Sequence, residues 1–119
     1  LLAGALGLCV LANWSPGQRE AFLHSQTPPR FTPRSVTDTA TLLTRVEETA
    51  RTGIGFDRGE YLEGVNAVAA SIYGVGGTLV ALLWIVGFAS RLNNEALEAA
   101  AQQLYVEARA ISQALGART

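Results

Sequence analysis

Few side chains in this 119-residue chain could do acid–base, nucleophilic or metal chemistry. It has one cysteine, Cys9, and one histidine, His24. A lone cysteine excludes an internal disulfide framework and any multi-cysteine zinc site, and a lone histidine leaves little for a metal centre or a His-based triad. Cys9 lies in an apolar run, where a thiol reads as a small core residue. His24 follows a helical stretch, where it reads as a favourable charge at a helix C-terminus. Asp57, Glu60 and Glu63 are spaced three apart, and paired carboxylates can do acid–base work. No His or Lys accompanies them, so solvated loop charge is the simpler reading. The glycines of Gly53-Ile54-Gly55-Phe56-Asp57-Arg58-Gly59 miss the dinucleotide spacing by one residue. No helix follows them to offer N-terminal amides to a phosphate. Gly74-Val75-Gly76-Gly77 lacks the Lys-Ser/Thr end of a phosphate loop. Nothing assembles a nucleophile, a base and oxyanion donors, so neither an enzyme nor a cofactor or metal site is expected.

Composition sets the frame for these residues. The length suits one domain with one core. Nine basic against ten acidic residues give a formal charge of −1, which offers no basic surface for DNA. All nine cations are arginine, so every positive charge is fixed over the accessible pH range. No methionine is present, and the chain reads as a piece of something longer. Two apolar stretches carry alternatives. The opening LLAGALGLCVLA resembles the apolar part of a signal peptide but lacks its basic leader, which favours a buried helix. Residues 64–90 hold 27 positions without a charge, enough to span a bilayer. The glycines at 74, 76 and 77 interrupt that run and favour two strands joined by a hairpin.

The elements follow from periodicity and punctuation. Residues 1–13 suit a short apolar helix. Ser15, Pro16 and Gln18 supply N-cap, first turn and capping box of a second, with Ala21, Phe22 and Leu23 facing in. Pro28, Pro29 and Pro33 make residues 25–36 an extended loop, with a short edge strand at Arg30-Phe31-Thr32. Thr37 or Thr39 caps a helix that carries Leu42, Leu43, Val46 and Ala50 inward and ends at Gly53. Strands are expected at 54–57, 65–73 and 78–87. Asn93 or Asn94 opens a last helix with an apolar stripe of Leu97, Ala101, Leu104, Ala108, Ile111 and Leu115, stopped by Gly116. Three consecutive strands among helices imply an α+β domain with an antiparallel sheet. Strand 78–87 is apolar on both faces and reads as a central, doubly covered strand. The sheet should then be extended by strands before residue 1 or from a partner chain.

A hairpin centred on Val75-Gly76 puts Ala67 opposite Trp84 and Val65 opposite Val86, all four on one face. Small residues facing one indole suit either plain core or the wall of a ligand pocket. Asp57 on the preceding strand is the polar group that would tip the patch towards a pocket.

These segments resemble a known family. Gly53 to Gly64 is similar to the pattern RxxGYAxDxxExxxG. Asn66 to Tyr73 resembles CxAAPVxD, and Leu79 to Leu92 resembles a strand ending in SGPxxRL. Ala110 to Gly116 resembles AxxISxxLG. Upstream, Gly7 to Ala12 stands in place of GKALLA, and Phe31-Thr32-Pro33 with Thr37-Asp38 in place of a Thr-rich linker. In this order they resemble the C-terminal effector-binding domain of IclR-type bacterial transcription regulators over essentially the whole chain. The resemblance implies a GAF-like curved antiparallel sheet flanked by helices, with the N-terminal part of the domain missing, so that residues 1–119 form one effector-binding and oligomerisation domain. It implies a winged helix-turn-helix outside this chain as the only route to DNA. It implies a small-molecule effector, dimers or tetramers, and a cytoplasmic location. The family's ligand contacts fall on Ala5, Leu6, Asp57, Val65, Ala67, Trp84 and Val86.

The departures are chemical. The family's usual Lys is Leu8, its Cys is Ala67, and its two Ser positions are Trp84 and Val86. Two hydroxyls and a thiol give way to apolar groups, so an apolar or aromatic effector suits the site better than a small keto acid, with the ring stacked on Trp84. Alternatively, Trp84 fills the pocket and no effector binds. A rival from another class is a non-regulatory interaction protein or a membrane-anchored fragment spanning with residues 64–90.

Overall fold

The structure is a computed structural model and describes residues 3–117. Four helices and three strands run in the order α1 (Gly4–Ala12), α2 (Pro16–His24), α3 (Thr39–Thr52), β1 (Ile54–Arg58), β2 (Val65–Tyr73), β3 (Leu79–Phe88) and α4 (Asn94–Ala114). The strands form an antiparallel sheet in the order β1-β2-β3. The expected α+β class holds.

Residues 64–90 supply β2, a turn and β3, so the hairpin and not a helical span is what they form. Among the described residues no helix is long and apolar enough to cross a membrane. Gly76 and Gly77 both take left-handed backbone in the turn, which explains the glycine cluster. The Gly74 amide donates to the Thr78 carbonyl at 2.8 Å and closes it.

The register differs from expectation by two residues. Ala67 faces Val86, Ala69 faces Trp84 and Val65 faces Phe88. The turn is longer than a two-residue loop, and the ladder shifts between Ile72 and Tyr73. A shift of two leaves every side chain on its expected face.

The central strand is β2, not β3. Its run Asn66–Ile72 is buried throughout, whereas β3 lies at the sheet edge with Val80, Trp84, Val86 and Phe88 exposed. One face of β2 presents Val68, Ala70 and Ile72 to Leu97, Ala101, Leu104 and Ala108 of α4. The other presents Ala67 and Ala69 to Ala5 and Cys9 of α1. Side chains hold the ends of this packing. The buried Ser112 hydroxyl donates to the Ala108 carbonyl and accepts the Tyr73 amide. Asn66 donates to the Leu92 carbonyl.

At the opposite edge, β1 is shielded by α3. The Arg45 guanidinium donates to the Phe56 carbonyl at 2.8 Å, and the Thr52 hydroxyl bonds the backbone of Ile54. An edge closed this way cannot template another strand.

The other boundaries were largely as read. Ser15 and Gln18 form the capping box of α2, and Asn93 caps α4. Asp38, between the two expected threonines, caps α3: its carboxylate accepts the Thr41 amide and hydroxyl and is held below its ordinary range by those bonds. On α2, Arg19 and Leu23 turn inward while Ala21 is exposed, and on α3 Thr49 replaces Ala50 as the buried position. No strand forms at Arg30-Phe31-Thr32. There the Ser35 hydroxyl accepts the amides of Phe31 and Thr32, and the Thr32 hydroxyl donates to the Gly59 carbonyl at 2.6 Å. Local side-chain bonds have taken the place of a ladder.

Candidate functional site

The α1-facing side of the sheet is built from small residues. Asp57, Ala67 and Val86 make one row across the three strands, and Gly55, Ala69 and Trp84 make the next. A Cβ at Gly55 would fall 2.8 Å from the Ala5 carbonyl oxygen and 3.2 Å from the Leu8 Cβ. The absence of that atom is what lets α1 lie directly on β1. Helix α1 covers β1 and β2 and meets Leu82 and Trp84 of β3, while Val80, Val86 and Phe88 stay exposed.

Where the first turn of α1 meets this face, a cavity of about 310 Å³ opens. Ala5, Leu6, Asp57 and Trp84 line it, so four of the seven residues picked from sequence come together. The other three do not line it. Ala67 is buried beneath α1 against Ala5, Val65 is half-buried at the start of β2, and Val86 is exposed on the same sheet face. Gly4, Val10 and Tyr61 also line the cavity. Sequence reasoning missed Tyr61, whose signal is the loop after β1: the Glu60 amide donates to Asp57 Oδ1 at 2.8 Å and folds that loop back over the sheet. Phe31 packs edge-on to the Tyr61 ring with centroids 4.9 Å apart.

Polar groups in the cavity are few. Asp57 is 7 % exposed, and its Oδ2 lies 3.1 Å from where a Gly4 Cβ would stand. Burial pushes its carboxyl above the ordinary range, the Glu60 amide pulls it down, and the neighbouring Glu60 charge raises it further. Gly4 has φ +68°, and no side chain caps α1 at Ala3. The amides of the first turn therefore face the cavity side with their share of the helix dipole. Trp84 is 48 % exposed and offers the face of its indole. Among the described residues no lysine, arginine or histidine lines the space.

The remaining chemical candidates have structural roles. Cys9 is buried, with Sγ 3.5 Å from the Ala69 carbonyl, and burial raises its thiol. His24 lies in the exposed last turn of α2, 4.0 Å from Glu20. Glu60 is not solvated loop charge: it pairs with Arg45 at 3.1 Å and accepts the Arg58 amide. Among the described residues no cluster of three His, Cys, Asp or Glu side chains could hold a metal.

A larger groove of about 720 Å³ lies on the α4 side, between α3 and α4 above β1. Four of its charges pair off, Arg45 with Glu60 and Arg58 with Glu98 at 2.9 Å, and Arg58 lies 4.5 Å over the Phe56 ring. Glu48 and Gln102 also line it, but the carboxylate that is itself buried, Asp57, belongs to the smaller cavity.

Because folding raises the Asp57 pKa, the folded state binds this proton more tightly than the unfolded chain. Stability from this group is then greatest at low pH and falls as pH rises from the ordinary aspartate range through the folded pKa. Asp57→Asn keeps an acceptor for the Glu60 amide and removes the buried charge. The variant should be more stable than the parent at pH 7, and the gain should vanish as pH falls below the ordinary aspartate range. Urea melts of both proteins across that range check it.

Comparison with known proteins places this geometry. Residues 1–113 match the family model described as bacterial transcriptional regulator IclR C-terminal. The HTH-type transcriptional repressor AllR of Escherichia coli (strain K12) is 36 % identical over 87 residues, which cover 73 % of this chain and 32 % of AllR. The structure of a putative transcriptional regulator, RHA06195, from Rhodococcus sp. RHA1 superposes with a TM-score of 0.86 at 29 % identity, covering 96 % of this chain and 47 % of that one. The C-terminal domain of the E. coli transcriptional regulator KdgR superposes with a TM-score of 0.81 at 28 % identity, covering 98 % and 71 %. The chain thus spans about a third of the length of the curated relatives it matches.

Proposed function

Since the chain belongs to the IclR family of bacterial transcriptional regulators and carries their C-terminal domain, we propose that it binds a small organic effector in the cavity between α1 and the sheet. The observation that carries this is the meeting of Asp57, the first turn of α1 and a half-exposed Trp84 around one space. With Trp84 and Val86 at the family's serine positions and Ala67 at its cysteine, the effector is apolar or aromatic rather than a small keto acid. Asp57 is its polar anchor. An effector that prefers one arrangement of the domain shifts the population towards it, and the regulator's DNA-binding domain reads that shift. DNA is reached only through that domain, because this chain has a net charge of −1. The protein works in the cytoplasm.

Trp84 supplies the test. The other indole, Trp14, packs against Phe22 with ring centroids 5.2 Å apart, so a Trp14→Phe background isolates Trp84 fluorescence. Titration with aromatic metabolites should quench or shift that emission. Trp84→Ser should cost only about 1–2 kcal/mol in a denaturant melt, because half of the indole is already exposed. A loss of about 3–5 kcal/mol, with fluorescence blind to every metabolite, would make Trp84 a structural residue and refute the effector site.

The exposed apolar side chains of β3 also support self-association, since so much contiguous apolar surface is uncommon on a monomer. Sedimentation should show dimer or tetramer. Monomer alone over a wide concentration range would refute this.

A further inference from the structure

Resting on the effector site proposed above, we infer that Arg45 of α3 is a positioning residue for that site, holding Asp57 in place from the other side of the sheet. Asp57 lines the cavity on the α1 side, whereas Arg45 lines the larger groove on the α4 side. The link between them is Glu60. Arg45 grips its carboxylate as a fork, with Nη1 3.1 Å from Oε1 and Nη2 3.2 Å from Oε2. A planar two-bond pair of this kind fixes direction as well as distance. Glu60 in turn reaches Asp57 and its neighbour. Its amide donates to Asp57 Oδ1 at 2.8 Å, and its Oε2 accepts the Arg58 amide at 3.3 Å. Arg45 Nη2 also donates to the Phe56 carbonyl at 2.8 Å. The residues before and after Asp57, and its own carboxylate, are thus tied to one guanidinium, directly or through Glu60.

The loop backbone is fastened separately. The Thr32 and Ser35 hydroxyls donate to the Gly59 and Glu60 carbonyls at 2.6 and 2.7 Å. These bonds leave the Glu60 side chain to Arg45. Charge follows the same route as geometry. Burial raises the Asp57 carboxyl, the Glu60 amide lowers it, the Glu60 charge raises it, and the Tyr61 amide and the Arg45 charge lower it. Arg45 therefore acts on Asp57 twice, by aiming it through Glu60 and by favouring its ionised form. A lysine in its place would keep the charge and lose the fork.

The Trp14→Phe protein, in which Trp84 is the only indole, is titrated with benzyl alcohol and with benzoate, and the Asp57 carboxyl is followed across pH by ¹³C NMR. Arg45→Gln should weaken the tighter-binding probe about tenfold. It should also raise the Asp57 pKa, with the fold intact by circular dichroism. Arg45→Lys should keep that pKa near the parent's yet recover only part of the affinity. If Arg45→Gln does not fold, this pairing of results from Arg45→Lys carries the test. In an Asp57→Ala background, Arg45→Gln should change affinity by less than about twofold, because its effect runs through Asp57. Arg51→Gln, exposed in the last turn of the same helix, should change neither reading. Unchanged affinity in Arg45→Gln, an equal loss without Asp57, or full rescue by lysine overturns the inference while leaving the pocket in place. No response of the parent to either probe overturns the pocket and, with it, this role for Arg45.

Discussion

Leu97→Ala should destabilise the domain by about 2–5 kcal/mol. Leu97 sits in the first turns of α4, has no exposed surface, and packs into the cluster that includes Val68 and Ala101. Ile85, Leu92 and Phe56 close around it from the sheet and the loop before α4. Its nearest neighbour on the buried helix face is Ala101, four residues on, which cannot reach into the vacated space. The cavity would therefore stay open, and the cost should fall towards the upper part of the range. Val106→Ala, at a position 59 % exposed on the same helix, should change stability by no more than about 0.5 kcal/mol. Urea unfolding of the two variants beside the parent makes the comparison. Equal losses would mean that α4 is not held to the sheet by this stripe.

The second large effect is expected at Gly55. Even a Cβ there would meet the Ala5 carbonyl oxygen at 2.8 Å, and backbone cannot step aside as a flexible side chain can. Valine adds two further methyl groups against Leu8 and Cys9. Gly55→Val should cost about 3 kcal/mol, the upper part of the usual overpacking range. Relief would come by lifting α1 from β1, which also moves Ala5 and Leu6 away from Asp57 and Trp84. Loss of stability and loss of the Trp84 ligand response should therefore appear together. Retention of the ligand response in a destabilised Gly55→Val protein would show that the seat of α1 does not shape the cavity.

What the sequence revealed, and what it hid, divides along physical lines. Signals that act within one turn of chain were legible. Ser15-Pro16-Gly17-Gln18 announced a capping box, Gly53 and Gly116 announced helix ends, and alternation along 79–88 gave the facing of each side chain. The hairpin patch kept its face although its register was two residues out, because strand side chains repeat every two positions. Which strand sits in the centre was not legible. Leu79–Phe88 is the more hydrophobic strand and so looked the more buried. The central strand instead holds Ala67, Ala69 and Ala70, small residues with a weak hydrophobic signal, because helices press on both of its faces. The alanines mark close approach rather than low burial. Glu60 was misread for a related reason: its partner Arg45 lies 15 residues away on α3, and pairing at that range leaves no local trace. The edge strand expected at 30–32 does not form because the Ser35 hydroxyl captures the amides of Phe31 and Thr32, a contact that prolines in an extended loop do not announce.

The central claim is that a small molecule binds between α1 and the sheet. Amide and indole chemical-shift mapping of the ¹⁵N-labelled chain, titrated with benzyl alcohol and benzoate, tests it most directly. The largest saturable shifts should fall on the amides of Gly4, Ala5, Leu6 and Asp57 and on the Trp84 indole N–H, with little change at Thr49, Thr52 or Tyr105. Shifts concentrated on Thr49, Thr52 and Tyr105 in the larger groove between α3 and α4, or no saturable shift anywhere, would contradict it.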